Sequence, residues 1–309
     1  MYEYISGIIT ICLIYVISNV GLAIFTGFTG LFSLGHAAFF AIGAYTAAIL
    51  TYFYNVNFYI ALLLGGVMSG LVAFVIGYPT IRAKLRSDYF AIATLGFGEA
   101  TRVILENLKI TQGARGLPGI ANYTTLPKVA IIAAIVIWIA SNFVRSRQGR
   151  EAIAVREDFV AAEMMGINIF AVRLRSLIFS AVCGGIAGGL FAHYISFIQP
   201  SMFTSYLSTQ MIASVVAGGM GSITGPVLAT VLFISIPEIL RVASIWRLVA
   251  YGLLLVLIMT FRPQGLFGYK EITISGCGRV YNRLRQRMAE RKSKPHGSTD
   301  DKPPFLNKK

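Results

Sequence analysis

Few side chains in this 309-residue sequence are placed to do chemistry, and most of those lie in apolar surroundings. Glu99 follows Gly96-Phe97-Gly98 inside a weakly apolar run, and Arg102 stands three residues on, one helical turn away. A carboxylate there must be paired, protonated or wet, because an isolated charge in hydrocarbon is costly. It is either a proton-coupling group or half of an ion pair at a wet break. His36 falls in a polar, glycine-rich stretch, Thr26 to Phe40, that also holds Ser33. A lone imidazole of this kind can relay protons, but the commoner role is a hydrogen-bonded structural one. Cys12, Cys183 and Cys277 are far apart, as are His36, His193 and His296, so neither metal spacing nor a disulfide framework is expected. There is no G-x-x-x-x-G-K-[ST] phosphate loop and no nucleophile–base pair. If the chain moves a solute uphill, another polypeptide or an ion gradient must supply the energy.

The segment 150–168, REAIAVREDFVAAEMMGIN, offers a different chemistry, that of a docking surface. Ala152, Val155, Phe159, Ala162 and Gly166 recur at spacings of three and four, which predicts one helical stripe. Arg150, Glu151, Arg156, Glu157 and Asp158 fall mostly off it. Such a helix is too charged to cross a bilayer, but it can lie on the membrane surface and press against a soluble partner. A transporter energised from outside itself has this outline. The plainer reading is a solvated helix between two spans.

The elements that must position these residues are membrane helices. The chain is 56% hydrophobic and 13% charged, with a mean hydropathy of +0.69. Soluble domains carry about 25% charged residues. Apolar runs at 5–26, 37–54, 58–80, 126–144, 172–195, 225–240 and 246–262 are long enough to cross, and 89–108 and 205–221 are weaker. The expected fold is all-α and polytopic, with about nine crossings (about eight to ten) and some broken or re-entrant helices. No cleaved signal peptide is expected, since no basic region precedes the first run. Gly184-Gly185-Ile186-Ala187-Gly188-Gly189 spaces small residues by four and predicts close helix packing. Gly218 to Pro226 reads as a hinge or as a lining of the solute path, with Gly219 and Ser222 the residues of interest.

Net charge is +14, of which residues 262–309 supply +8 through twelve Lys/Arg and four Asp/Glu. This fits retention on the cytoplasmic side and attraction to lipid headgroups better than binding to nucleic acid. Basic clusters at 82–86, 145–150 and beyond 262 fall on one side if the N-terminus is outside, so the 150–168 segment and the C-terminus are expected to be cytoplasmic. The expected division is a membrane domain over 1–268 and a basic, disordered tail over 269–309.

Several blocks together resemble one family. They are Thr29 to Leu50 (TGLFSLGHAAFFAIGAYTAAIL), Leu85 to Glu99, Ser146 to Asn168, Gly218 to Pro226, and Phe261 to Leu266. They are similar to LivM-type permeases, the inner-membrane subunits of branched-chain amino acid ABC importers. The resemblance spans about residues 20–267 and omits the basic tail. It implies a LivH-like second permease, two cytoplasmic ATPases that hydrolyse ATP, and an extracytoplasmic protein that delivers leucine, isoleucine or valine. No cofactor would be bound by this chain, and it would not itself be an enzyme. Ala161-Ala162-Glu163 to Gly166 resembles the loop that docks in the ATPase groove, with Glu151, Arg156 and Phe159 beside it. Ser33, His36, Glu99, Gly219 and Ser222 are the expected path residues. Related permeases serve urea, short amides or other amino acids, so these are alternative substrates. A lone ion-coupled secondary transporter, using Glu99 and His36, is the alternative of another class.

Overall fold

The structure, a computed structural model, describes residues 2–239 together with Gly252, Leu253, Val256, Thr260 and Gly265. The expected crossing at 246–262, apart from those few positions, and the tail at 269–309 lie outside the described residues.

Within residues 2–239 ten α-helices follow in order: α1 Tyr2–Leu22, α2 His36–Tyr54, α3 Phe58–Arg82, α4 Ser87–Asn107, α5 Leu126–Arg145, α6 Arg147–Glu157, α7 Phe159–Met164, α8 Ile169–Ile195, α9 Ser205–Gly218 and α10 Thr224–Ile239. Five of the described helices are long and apolar enough to cross a membrane: α1 with the π-turn Ala23–Gly27 that continues it, α2, α3, α5 and α8. The chain is therefore an all-α, multi-pass membrane protein. Helix α4 is long enough to cross but carries Asp88, Glu99, Arg102 and Glu106. Helices α9 and α10 are about 21 and about 24 Å long at 1.5 Å per residue, short of a 30 Å hydrocarbon core.

Local side chains set four of the helix starts. Asn57 Oδ1 accepts from Tyr59 N–H ahead of α3, and Asn168 Oδ1 accepts from Ala171 N–H ahead of α8. Ser146 caps α6 in the same way. Asp158 accepts from Val160 and Ala161 N–H at 2.9 and 3.0 Å, and its own backbone is extended, with φ −151° and ψ 108°. An Asp with that geometry ends one helix and starts another. The single helix expected over 150–168 is thus two, α6 and α7, and its five-residue stripe does not exist. Ala152, Val155 and Ala162 are buried, whereas Phe159 is exposed and Gly166 has left the helix.

The core is the α1–α2–α3–α8 cluster, closed by glycines. A Cβ built on Gly188 of α8 would fall on the Phe40 carbonyl of α2, and one on Gly43 would fall on Gly185. Backbones this close leave no room for a side chain. Ser69 of α3 donates to Phe39 O at 2.8 Å across the same contact. Tyr15, Phe40, Phe191 and Phe203 pack ring to ring beside it. At the far end from α6–α7, two short antiparallel strands, β1 Leu117–Pro118 and β2 Phe197–Ile198, pair Leu117 with Ile198 and tie the loop before α5 to the end of α8.

Candidate functional site

The chain does not pass directly from α1 into α2. After the π-turn at Ala23–Gly27, Phe28 and Thr29 are still helical, and non-helical backbone then runs from Gly30 to Gly35 before α2 begins at His36. His36 Nε2 lies 3.0 Å from Ser18 Oγ, nine residues before Gly27, so α2 starts about 13 Å back along α1. Non-helical backbone at that depth must find partners within the protein, and here side chains of distant helices supply them. Phe32 N–H donates to Ser87 Oγ at 3.3 Å and Leu34 N–H to Thr94 Oγ1 at 3.1 Å, both on α4. Ala37 N–H donates to Ser208 Oγ of α9 at 2.9 Å, filling one orphan of the first turn of α2. Gly30, at φ +73°, and Gly35, which abuts the Thr94 carbonyl, let the segment bend and pack. Ser33 is buried on this segment, and its Oγ has no partner among the described residues.

Glu99 borders the same region. Gly98, its neighbour on α4, faces the Cα of Gly35 at 3.5 Å from an ideal Cβ. Arg102 Nε donates to Glu99 Oε2 at 2.9 Å, and its Nη1 donates to Glu106 Oε1 at 2.5 Å. The Ser205 hydroxyl and N–H both donate to Glu99 Oε1, the latter at 3.4 Å. Since Thr204 makes no side-chain cap, Glu99 does that work for α9 from another helix. The Glu99 side chain is 37% exposed. It is a paired, half-wet carboxylate, not a lone charge in hydrocarbon.

Gly219 and Ser222 lie on the opposite flank. The turn they share, with Gly219 at φ +114°, packs its Met220 carbonyl against Gly27. Ser222 is buried and its Oγ accepts from Gly225 N–H at the start of α10. The five path candidates thus surround the non-helical segment without touching one another as a cluster: Ser33 on it, His36 at the start of α2 just after it, Glu99 beside it, Gly219 and Ser222 past Gly27.

The docking candidates divide by direction. Arg156 points inward: its Nη1 donates to Gly27 O at 2.8 Å and to Met220 O at 3.3 Å, while Glu157 takes its Nε and Nη2. Glu151 accepts from Arg147 at 2.8 Å along α6. Ala162 is the buried anchor of α7, and Ala161 O receives Met165 N–H in its last turn. Ile167 N–H returns to Ala162 O and Gly166 N–H to Glu163 O, with Gly166 at φ +79°, a glycine-closed helix end. Val160, Met164 and Met165 are exposed, Met164 and Met165 at 85% and 82%, and Phe159, also exposed, borders a cavity beside α7. Glu163 meets Lys84 at 3.4 Å, an exposed pair of little energetic weight. Sequence reading missed Ser205, Ser208 and Thr94, which act across 106, 171 and 60 residues and leave no periodic signal. Asp158 did carry one, as an N-cap residue three positions before Ala161.

Comparison with known proteins adds the family context. Residues 4–260 match the family described as branched-chain amino acid transport system / permease component. The chain is 35% identical to the high-affinity branched-chain amino acid transport system permease protein LivM of Salmonella typhimurium, over 84% of this chain and 69% of that protein. It is 34% identical, over the same shares, to the Escherichia coli protein of that name. A probable branched-chain amino acid transport permease protein LivM of Methanocaldococcus jannaschii is 26% identical over 68% of this chain and 69% of its own length. No solved structure matches.

Proposed function

The chain belongs to the permease-component family of branched-chain amino acid transport systems, and we propose that it is the membrane-spanning subunit of an ATP-driven importer of leucine, isoleucine and valine. In this reading it sits in a bacterial inner membrane with nine crossings, α4, α9, α10 and the run at 246–262 completing the five apolar spans. It pairs with a second, LivH-like permease, two cytoplasmic ATPases that hydrolyse the ATP, and an extracytoplasmic binding protein. It binds no cofactor itself.

One observation carries the ATP-driven part: the outward face of α7. Four large apolar side chains are exposed here, Phe159, Val160 and Met164 on a six-residue helix and Met165 just past it, between Asp158 at one end and Gly166 at the other. Exposed apolar clusters of this kind mark interaction surfaces. Behind α7, Arg156 links α6 to the carbonyls of Gly27 and Met220. A push on α7 therefore reaches the end of α1 and the Gly219 turn, which flank the non-helical segment. That segment, with its small residues and backbone dipoles, suits the passage of a zwitterion with an apolar side chain.

Replacing Met164 and Met165 together by Glu tests this. Burying charge at the interface costs binding. The ATPase should no longer co-purify, and stimulated ATP hydrolysis and uptake should both fall at least about tenfold. Unchanged co-purification and uptake would refute docking through α7.

A further inference from the structure

Beside α7, the end of α3 and the starts of α4 and α8 enclose a cavity of about 580 Å³. Five basic side chains line it, Arg82, Lys84, Arg86, Arg156 and Arg173, against one carboxylate, Glu163. Three of the five are committed. Arg82 donates to Tyr78 Oη at 2.5 Å, Lys84 meets Glu163, and Arg156 is held as described above. The Arg86 and Arg173 side chains make no hydrogen bond or ion pair with the described residues, and Arg173 Nε is buried without a partner. The first turns of α4 and α8 also open here, with Ser87 and Ile169 in the wall. Helix N-termini carry partial positive charge and orphan N–H groups. Two uncommitted guanidinium groups on the wall of one cavity, beside two such termini, make it attractive to an anion.

The remaining wall narrows the choice of anion. Leu31, Ile81, Leu85 and Phe170 make one side of the cavity apolar. The Phe170 ring meets Tyr78 edge-on at 5.5 Å, and Tyr78 continues into the exposed face of α3 at Phe74 and Val75. That face belongs to a membrane-crossing helix, so an apolar track leads from the cavity to the hydrocarbon. A free phosphate would use the basic half and leave the apolar half empty.

We propose that this cavity holds the phosphate of an anionic membrane phospholipid, gripped by Arg86 and Arg173, with its acyl chains along Tyr78 and Phe74. The proposal rests on the membrane-spanning reading and not on the transported solute or on ATPase docking. A basic pocket between helix ends at the interface suits such a headgroup.

The test uses the full-length protein with whatever subunits co-purify, in micelles containing equal phosphatidylglycerol and phosphatidylcholine. Retained lipid is read by native mass spectrometry. Phosphatidylglycerol should be retained in preference. Arg86→Gln and Arg173→Gln should each lower its retention about tenfold, as loss of a charge-assisted hydrogen bond predicts. Arg173→Lys should restore most of it. Arg175→Gln, on the same helix but outside the cavity, should change it by less than about twofold. Millimolar inorganic phosphate should not displace the lipid. An equal loss with Arg175→Gln would mean general surface attraction and overturn the site. Displacement by inorganic phosphate would make free phosphate the ligand. Unaltered lipid in the Arg86 and Arg173 variants would also overturn it. Loss of the ATPase from those variants alone would then assign the cavity to an acidic side chain of that partner.

Discussion

Glu99 shows what a single residue can and cannot announce. Its i,i+3 relation to Arg102 is legible in the sequence, and the ion pair is present at 2.9 Å. Its second role, supporting the start of α9 through Ser205, is not, because that contact joins residues 106 positions apart. A carboxylate that accepts three hydrogen bonds, one of them from a guanidinium, is committed to holding α4 and α9 together. Glu99→Gln keeps the shape and removes the charge. Exposed or half-exposed pairs contribute about 0.5–1 kcal/mol, so uptake should persist at a level lowered by no more than about fivefold. In vesicles supplied with ATP, wild-type uptake should survive collapse of the proton gradient. Abolished uptake in Glu99→Gln, together with arrest on collapse of the gradient, would favour the secondary-transporter alternative. His36 differs in kind: it is fully enclosed and bonded to Ser18, in a setting that neither its sequence neighbours nor its spacing announce.

At the scale of elements, composition located the apolar helices closely. The run at 58–80 is α3 at Phe58–Arg82, and that at 126–144 is α5 at Leu126–Arg145. Hydrophobic length and flanking charge are local properties, which is why they could be read. The 150–168 segment was misread because periodicity was followed through Asp158, whose side chain caps α7 and breaks the stripe. Glycine spacing, by contrast, was a reliable guide to the α2–α8 contact. At Gly188 a Cβ would strike the Phe40 carbonyl, a backbone atom that cannot rotate away. Gly188→Val should therefore destabilise the folded protein by at least about 3 kcal/mol, or prevent its accumulation. Gly96 on α4 has no heavy atom within 4 Å of an ideal Cβ. Gly96→Ala should be neutral or stabilising by up to about 1 kcal/mol, as helix propensity dictates. Thermal unfolding of the detergent-purified variants, followed by fluorescence-detected gel filtration, compares the two. A Gly188→Val protein as stable as wild type would contradict the close α2–α8 packing.

For the whole molecule, the question is which end faces the cytoplasm. Nine of the thirteen Lys/Arg among the described residues lie toward the end that carries α6 and α7; Arg102, Lys109, Arg115 and Lys128 lie toward the other. In the proposed function, retention of basic residues on the cytoplasmic side would place α7 where a soluble ATPase can reach it. The loop holding Lys109 and Arg115, pinned by the β1–β2 pair, would then face outward. Arg147 and Arg115 provide the contrast, one on α6 and one beside β1. After Cys12, Cys183 and Cys277 are replaced by Ser, single-cysteine proteins with Arg147→Cys or Arg115→Cys can be treated with a membrane-impermeant thiol reagent. Arg115→Cys should label in intact cells, and Arg147→Cys only after the membrane is opened. The reverse pattern would put α7 on the outer face, beyond any cytoplasmic ATPase, and the coupling of ATP to transport through Phe159, Met164 and Met165 would have to be abandoned.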